Sequence, residues 1–168
     1  HPSFLNADGS SRIYSIWDQS IPYVPDSGQE GNLPEELSYG TEYGREVINR
    51  ALRAENPFDI VPSRDTEGHG TFLAGVACGN EDMEREFSGI APLAELVVVK
   101  CKQAKGNIRQ YYGIDPDVPC YMENDMMLGV RYLARIAYRR RKPMVVCIGM
   151  GTSLGSHYRG GALGEVLQ

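Results

Sequence analysis

His69 stands between Gly68 and Gly70 in the run Arg64-Asp65-Thr66-Glu67-Gly68-His69-Gly70-Thr71-Phe72-Leu73-Ala74-Gly75. Imidazole titrates near neutral pH, so a histidine whose backbone is held in place can serve as a general base. The two glycines permit tight or left-handed backbone. The small and apolar residues over 71–78 predict a helix able to pack closely, with His69 at its mouth. Other groups compete for a chemical role. Asp65, Glu67 and His69 alternate and could share a face toward a metal ion, but no second histidine stands at ligand spacing. Ser153, in Gly151-Thr152-Ser153, could be a nucleophile, yet Leu154-Gly155-Ser156-His157 is a poor start for the helix such a serine usually enters. Cys147 could pair with His69, but its apolar neighbours place it buried in mid-strand. Asp18, at the end of a strand, reads as an exposed turn residue heading the exit Gln19-Ser20-Ile21-Pro22.

The elements that must position these groups follow from the periodicity. Residues 12–18 alternate as a half-buried strand. Residues 22–39 hold several Pro and Gly and read as a surface loop. Thr41 is a plausible N-cap for an amphipathic helix carrying Val47, Ile48, Ala51 and Leu52, which Asn56-Pro57 stops. Leu96 to Val99 form a continuous apolar run, expected as a buried parallel strand. Residues 103–120 read as an irregular insertion. A long helix is expected over 124–141, with Met126, Met127, Val130, Leu133, Ala134 and Ala137 as its apolar stripe and Arg131, Arg135 and Arg139 opposite. The basic run 139–142 complements the negative end of that helix rather than forming a nucleic-acid site. Residues 144–148 read as a second buried strand. This order predicts an α/β fold with a mostly parallel central sheet and sites at the carboxyl ends of its strands.

The chain has 168 residues, 42% apolar and 23% charged, enough for one globular domain with a real core. A net charge of −5 argues against a general nucleic-acid partner. No apolar run is long enough to span a membrane. The first residues, His1-Pro2-Ser3-Phe4, lack a methionine, so a piece of a longer protein is expected and no localisation is assigned. Cys78, Cys101, Cys120 and Cys147 form no C-x-x-C pair and are expected to be reduced, structural thiols, a weak lean toward a reducing compartment.

The stretch 65–75 resembles the histidine motif of the subtilisin-like serine proteases. Ser88-Gly89-Ile90-Ala91-Pro92 with the strand after it, and the run 144–151, resemble two further motifs of that family in the family's order. Ala7-Asp8-Gly9-Ser10-Ser11-Arg12-Ile13, Ile16-Trp17-Asp18-Gln19, residues 39–43, residues 60–65 and Glu123-Asn124-Asp125 resemble its spore-germination branch. The resemblance covers nearly the whole chain. It implies a subtilisin-like three-layer sandwich, incomplete here, with residues 1–168 as a catalytic domain truncated at both ends. His69 matches the catalytic base, and Gly149, Met150 and Gly151 match the strand that pairs with substrate. The orienting aspartate is expected before His1 and the nucleophilic serine after Gln168, so Asp18 and Ser153 are not promoted. Cys147, Gly149 and Met150 stand where the family commonly has Asn, Ser and Leu. The implied function is a serine endopeptidase working by a Ser-His-Asp mechanism on polypeptide substrates, without a cofactor or catalytic metal; structural calcium is possible and is not indicated by the sequence. The alternative is a non-catalytic pseudoprotease acting as a binding or regulatory protein. The fragment alone is expected to be inactive and to self-associate through its open edges.

Overall fold

The computed structural model describes residues 1–151 and 161–167. The chain divides into two compact units, His1–Lys100 and Cys101–Gln168.

The first unit is built on three strands, β1 (Ile13–Asp18), β2 (Thr41–Gly44) and β3 (Leu96–Lys100), in the order β2-β1-β3. β1 pairs in parallel with β3, Ile16 opposite Val98, and antiparallel with β2, Ile16 opposite Tyr43. The parallel pairing was expected; the antiparallel neighbour was not. Residues 41–44 are the strand β2, and the helix α1 (Arg45–Arg53) begins only after them with Gly44 as N-cap. Thr41 therefore does not cap a helix. Its side chain is buried, with Oγ1 donating to the Ile21 carbonyl at 3.0 Å, and Tyr43 beside it is fully buried. Burial alternates along these four residues, and that period of two decides the conformation over the N-cap preference.

Tyr43, Ile48, Ala51 and Val61 form one apolar cluster with Ile13, Ile16 and Ile21 packed against it, joining α1 to the sheet. Burying a side chain the size of Ile48 contributes about 2 kcal/mol. A second cluster of Phe4, Cys78 and Leu96, with Ala74, Ala77 and Val98 against it, joins β3 to the helix α2 (His69–Cys78). The alanines let α2 approach the strand closely. Among the described residues β3 pairs with β1 alone, so just Leu96 of the expected buried run is buried and the valines are half-exposed.

The second unit holds α3 (Gly106–Tyr111), α4 (Glu123–Arg140) and α5 (Ala162–Val166). α3 lies inside the stretch read as irregular. α4 matches the expected helix almost to the residue, but its buried face is Asp125, Gly129, Tyr132 and Ile136. That face is rotated by about one position from the methionine stripe. Asp125 is carried inside because its carboxylate pairs with the Lys102 ammonium, a partner that hydrophobic periodicity does not register. The run 144–148 forms no strand: Val145 is 96% exposed, Cys147 is exposed, and nothing among the described residues pairs with it. Five apolar residues in a row make a buried strand only where neighbouring strands supply partners.

Candidate active site

α2 carries the candidate base, and the geometry of its two ends explains the sequence around it. Gly68 is the N-cap at φ 80°, in the left-handed region, and His69 is the first helical residue. Nothing lies within 4 Å of where a Cβ on Gly68 would be, so the glycine is required by backbone strain alone. Gly70 is ordinary helical backbone, so only one of the two flanking glycines serves a left-handed turn.

Asp65 wraps the turn. Its Oδ1 accepts from the Gly68 amide at 2.8 Å and the Glu67 amide at 3.2 Å. Its Oδ2 accepts from the Thr71 amide at 2.8 Å and the Thr71 hydroxyl at 2.7 Å. A carboxylate placed over the first turn satisfies orphan amides and complements the helix dipole. Partial burial opposes ionisation of Asp65, but the donors from Thr71, Gly68 and Glu67 outweigh it and hold the carboxyl below its ordinary 3.8. Both oxygens are already taken, which argues against Asp65 as a metal ligand, and no metal-binding cluster occurs among the described residues.

At the other end every terminal carbonyl of α2 has a donor. Gly75 accepts from the Gly79 amide at 2.7 Å, Val76 from Ile90 at 3.1 Å, and Ala77 from Ala91 at 2.9 Å. Cys78 accepts from the guanidinium of the buried Arg12, which also donates to Ala94 at 2.6 Å and Ser3 at 2.9 Å. The Gly-Ile-Ala-Pro turn is thus the C-terminal cap of the helix that starts with His69. Gly89 is needed for closeness: a Cβ there would lie 2.9 Å from the Cys78 backbone. Sequence reasoning noticed this turn as a motif and missed its task. It also missed Arg12, whose partners lie far apart in the chain.

The His69 side chain is exposed, and no hydrogen bond among the described residues holds its ring. Asp18 is not the exposed turn residue expected. It is fully buried at the end of β1. Its Oδ1 accepts from the Ser20 amide at 2.8 Å and the Ser20 hydroxyl at 2.5 Å; its Oδ2 accepts from Ser63 Oγ at 2.7 Å and Lys100 Nζ at 3.1 Å. Burial disfavours its charge, but the bonds from Ser20, Ser63 and Lys100 prevail and lower its pKa. The Asp-x-Ser exit was a legible sign of the local half of this arrangement. The halves from Ser63 and Lys100, 45 and 82 residues away, were not.

In the second unit, Gly149 and Gly151 are exposed and Met150 is half-buried, in irregular backbone. Ser153 lies outside the described residues. Burial and the Asp125 carboxylate push the Cys101 thiol up despite Lys102, which disfavours its thiolate. No helix among the described residues is long and apolar enough to cross a membrane.

Residues 36–115 match the subtilase family. The chain is 26% identical over 153 residues to the subtilisin-like protease SBT2.2 of Arabidopsis thaliana, covering 85% of this chain and 17% of the relative. It superimposes on the CspB protease of Clostridium perfringens with a TM-score of 0.75 and 29% identity, over 99% of this chain and 30% of that one. It therefore spans less than a third of the length of either relative. The match covers the His69 stretch and its supporting turn, and the fold agrees with it: the chain is similar in sequence and in fold to part of the subtilisin-like serine proteases.

Proposed function

We propose that the protein containing these residues is a serine endopeptidase acting on polypeptides, with His69 as its general base. The observation that supports this best is the presentation of His69. Its ring is open to solvent at the first position of a helix whose N-terminus is wrapped by Asp65 and whose C-terminal carbonyls are all bonded. A base on that mount takes the proton of a serine hydroxyl and later delivers it to the leaving amine. Gly149, Met150 and Gly151 are proposed to offer main-chain groups to an extended substrate, a pairing that needs no particular side chain. The resemblance assigns the nucleophilic serine and the orienting aspartate to stretches outside these 168 residues. The proposed enzyme is therefore the longer protein. The chemistry is proton and acyl transfer and calls for no cofactor.

Hydrolysis of a chromogenic peptide by the full-length protein tests the reading. His69→Ala is expected to lower kcat by about 10,000-fold or more, and the isolated 168-residue chain is expected to release no chromophore. Hydrolysis indifferent to His69→Ala would overturn the assignment. Full-length protein without activity would favour the alternative of a pseudoprotease that binds or regulates, to which the unusual Cys147, Gly149 and Met150 give some weight.

A further inference from the structure

Residues 61–68 form neither helix nor strand, and each residue from Arg64 to Gly70 is exposed. Apolar anchoring ends at Val61, which is buried with Tyr43, Ile48 and Ala51. From there to α2, polar and ring contacts hold the chain. The Arg64 guanidinium lies 3.6 Å from the centroid of the Phe58 ring, a contact between near neighbours in sequence. Asp65 bonds only within its own turn. Ser63 is different: its hydroxyl donates at 2.7 Å to Asp18 Oδ2, at the carboxyl end of the central strand. Asp18 is a rigid acceptor, since it is fully buried and Ser20 and Lys100 fix it from β1's exit and from β3.

We propose that Ser63 and Asp18 are positioning residues for His69, a latch that ties the segment feeding α2 to the end of β1 and so sets where the imidazole meets substrate. Nothing else among the described contacts links residues 62–68 to the sheet. A base must sit within hydrogen-bond reach of the proton it takes, and a misplacement of about 1 Å costs on the order of a hundredfold in rate. The role rests on the reading of His69 as general base.

Ser63→Ala in the full-length protein removes one hydroxyl and leaves Asp18 its bonds to Ser20 and Lys100. It is expected to lower kcat on a chromogenic peptide by about ten- to a hundredfold, with KM within about twofold. Ser63→Thr keeps the hydroxyl and is expected to restore most of the rate. In the His69→Ala background, Ser63→Ala is expected to cause no further loss. Amide exchange at Gly68 and Thr71 is expected to quicken in Ser63→Ala while Ile16 and Trp17 stay protected. An unchanged kcat, a Thr variant as slow as Ala, or an added loss in the His69→Ala background would each overturn the latch. If His69→Ala has no effect on activity, or there is no activity to measure, the general-base reading fails instead. Exchange at Gly68 and Thr71 then decides the latch: quickened exchange supports it and unchanged exchange refutes it.

Discussion

At the scale of single residues, the turn before His69 has two separable requirements. Gly68 supplies a left-handed φ of 80° in open space, so Gly68→Ala pays backbone strain and meets no steric clash. We expect a loss of roughly 1 kcal/mol, read as a lower urea midpoint with an unchanged slope. Asp65 supplies a charge over the helix N-terminus. Its carboxyl is lowered in the folded state, so its contribution is present above the ordinary 3.8 and is lost as pH falls through the lower folded value. Asp65→Asn is expected to destabilise the turn at neutral pH and to flatten the acid limb of the stability profile. A mutant profile parallel to the parent's below pH 4 would contradict the assignment. His69 itself was legible in the sequence because its neighbours are chemically unusual. Asp65 was legible as a residue but not in its role: an aspartate three residues before a glycine suggests an Asx turn as readily as a metal ligand, and the hydrogen bonds decide.

At the scale of elements, α2 is closed by residues from two places in the chain. Gly79 and the capping turn 89–91 are close in sequence, whereas Arg12 is the residue just before β1. Arg12 is 4% exposed, bonds to carbonyls and to no carboxylate among the described residues, and leaves its Nε unbonded there. Its charge is offset by three carbonyls, one of them the C-terminus of a helix, where a cation is favoured. Arg12→Ala would strand the Ala94 and Cys78 carbonyls, at about 1–3 kcal/mol for each left unsatisfied, while Ser3 keeps the Asn80 amide at 2.9 Å. We expect a loss of at least about 2 kcal/mol, measured by urea denaturation, with Arg12→Lys recovering part of it. A neutral Arg12→Ala would show that water replaces the guanidinium. Periodicity located α4 well, yet misplaced its buried face because one ion pair, Lys102 with Asp125, outranks the methionine stripe. Charge pairing at a distance has no sequence period.

At the scale of the whole molecule, exposed apolar surface stands out. α2 and the turn that caps it leave Phe72 67%, Ile90 88% and Leu93 92% exposed, and among the described residues β3 has a neighbour on one side only. Unpaired strand edges and apolar patches of this kind promote association. We expect the 168-residue chain to sediment above its 18.6 kDa monomer mass and Ile90→Lys with Leu93→Lys to shift it back. A single monomer boundary for the parent chain would refute this.

The sequence by itself determined the α/β class, the likeness to the subtilases, the parallel strand over 96–100 and a histidine at a helix start, because each rests on local pattern or on residues adjacent in the chain. It read residues 41–44 as helix, residues 144–148 as a buried strand and Asp18 as an exposed turn. All three depend on what lies alongside. Thr41 and Tyr43 become strand because β1 is there to pair with; residues 144–148 stay irregular because nothing described pairs with them. Asp18 goes inside because Ser63 and Lys100 arrive with donors. Partners brought together from distant parts of the chain decided these features, and only the tertiary structure could name them.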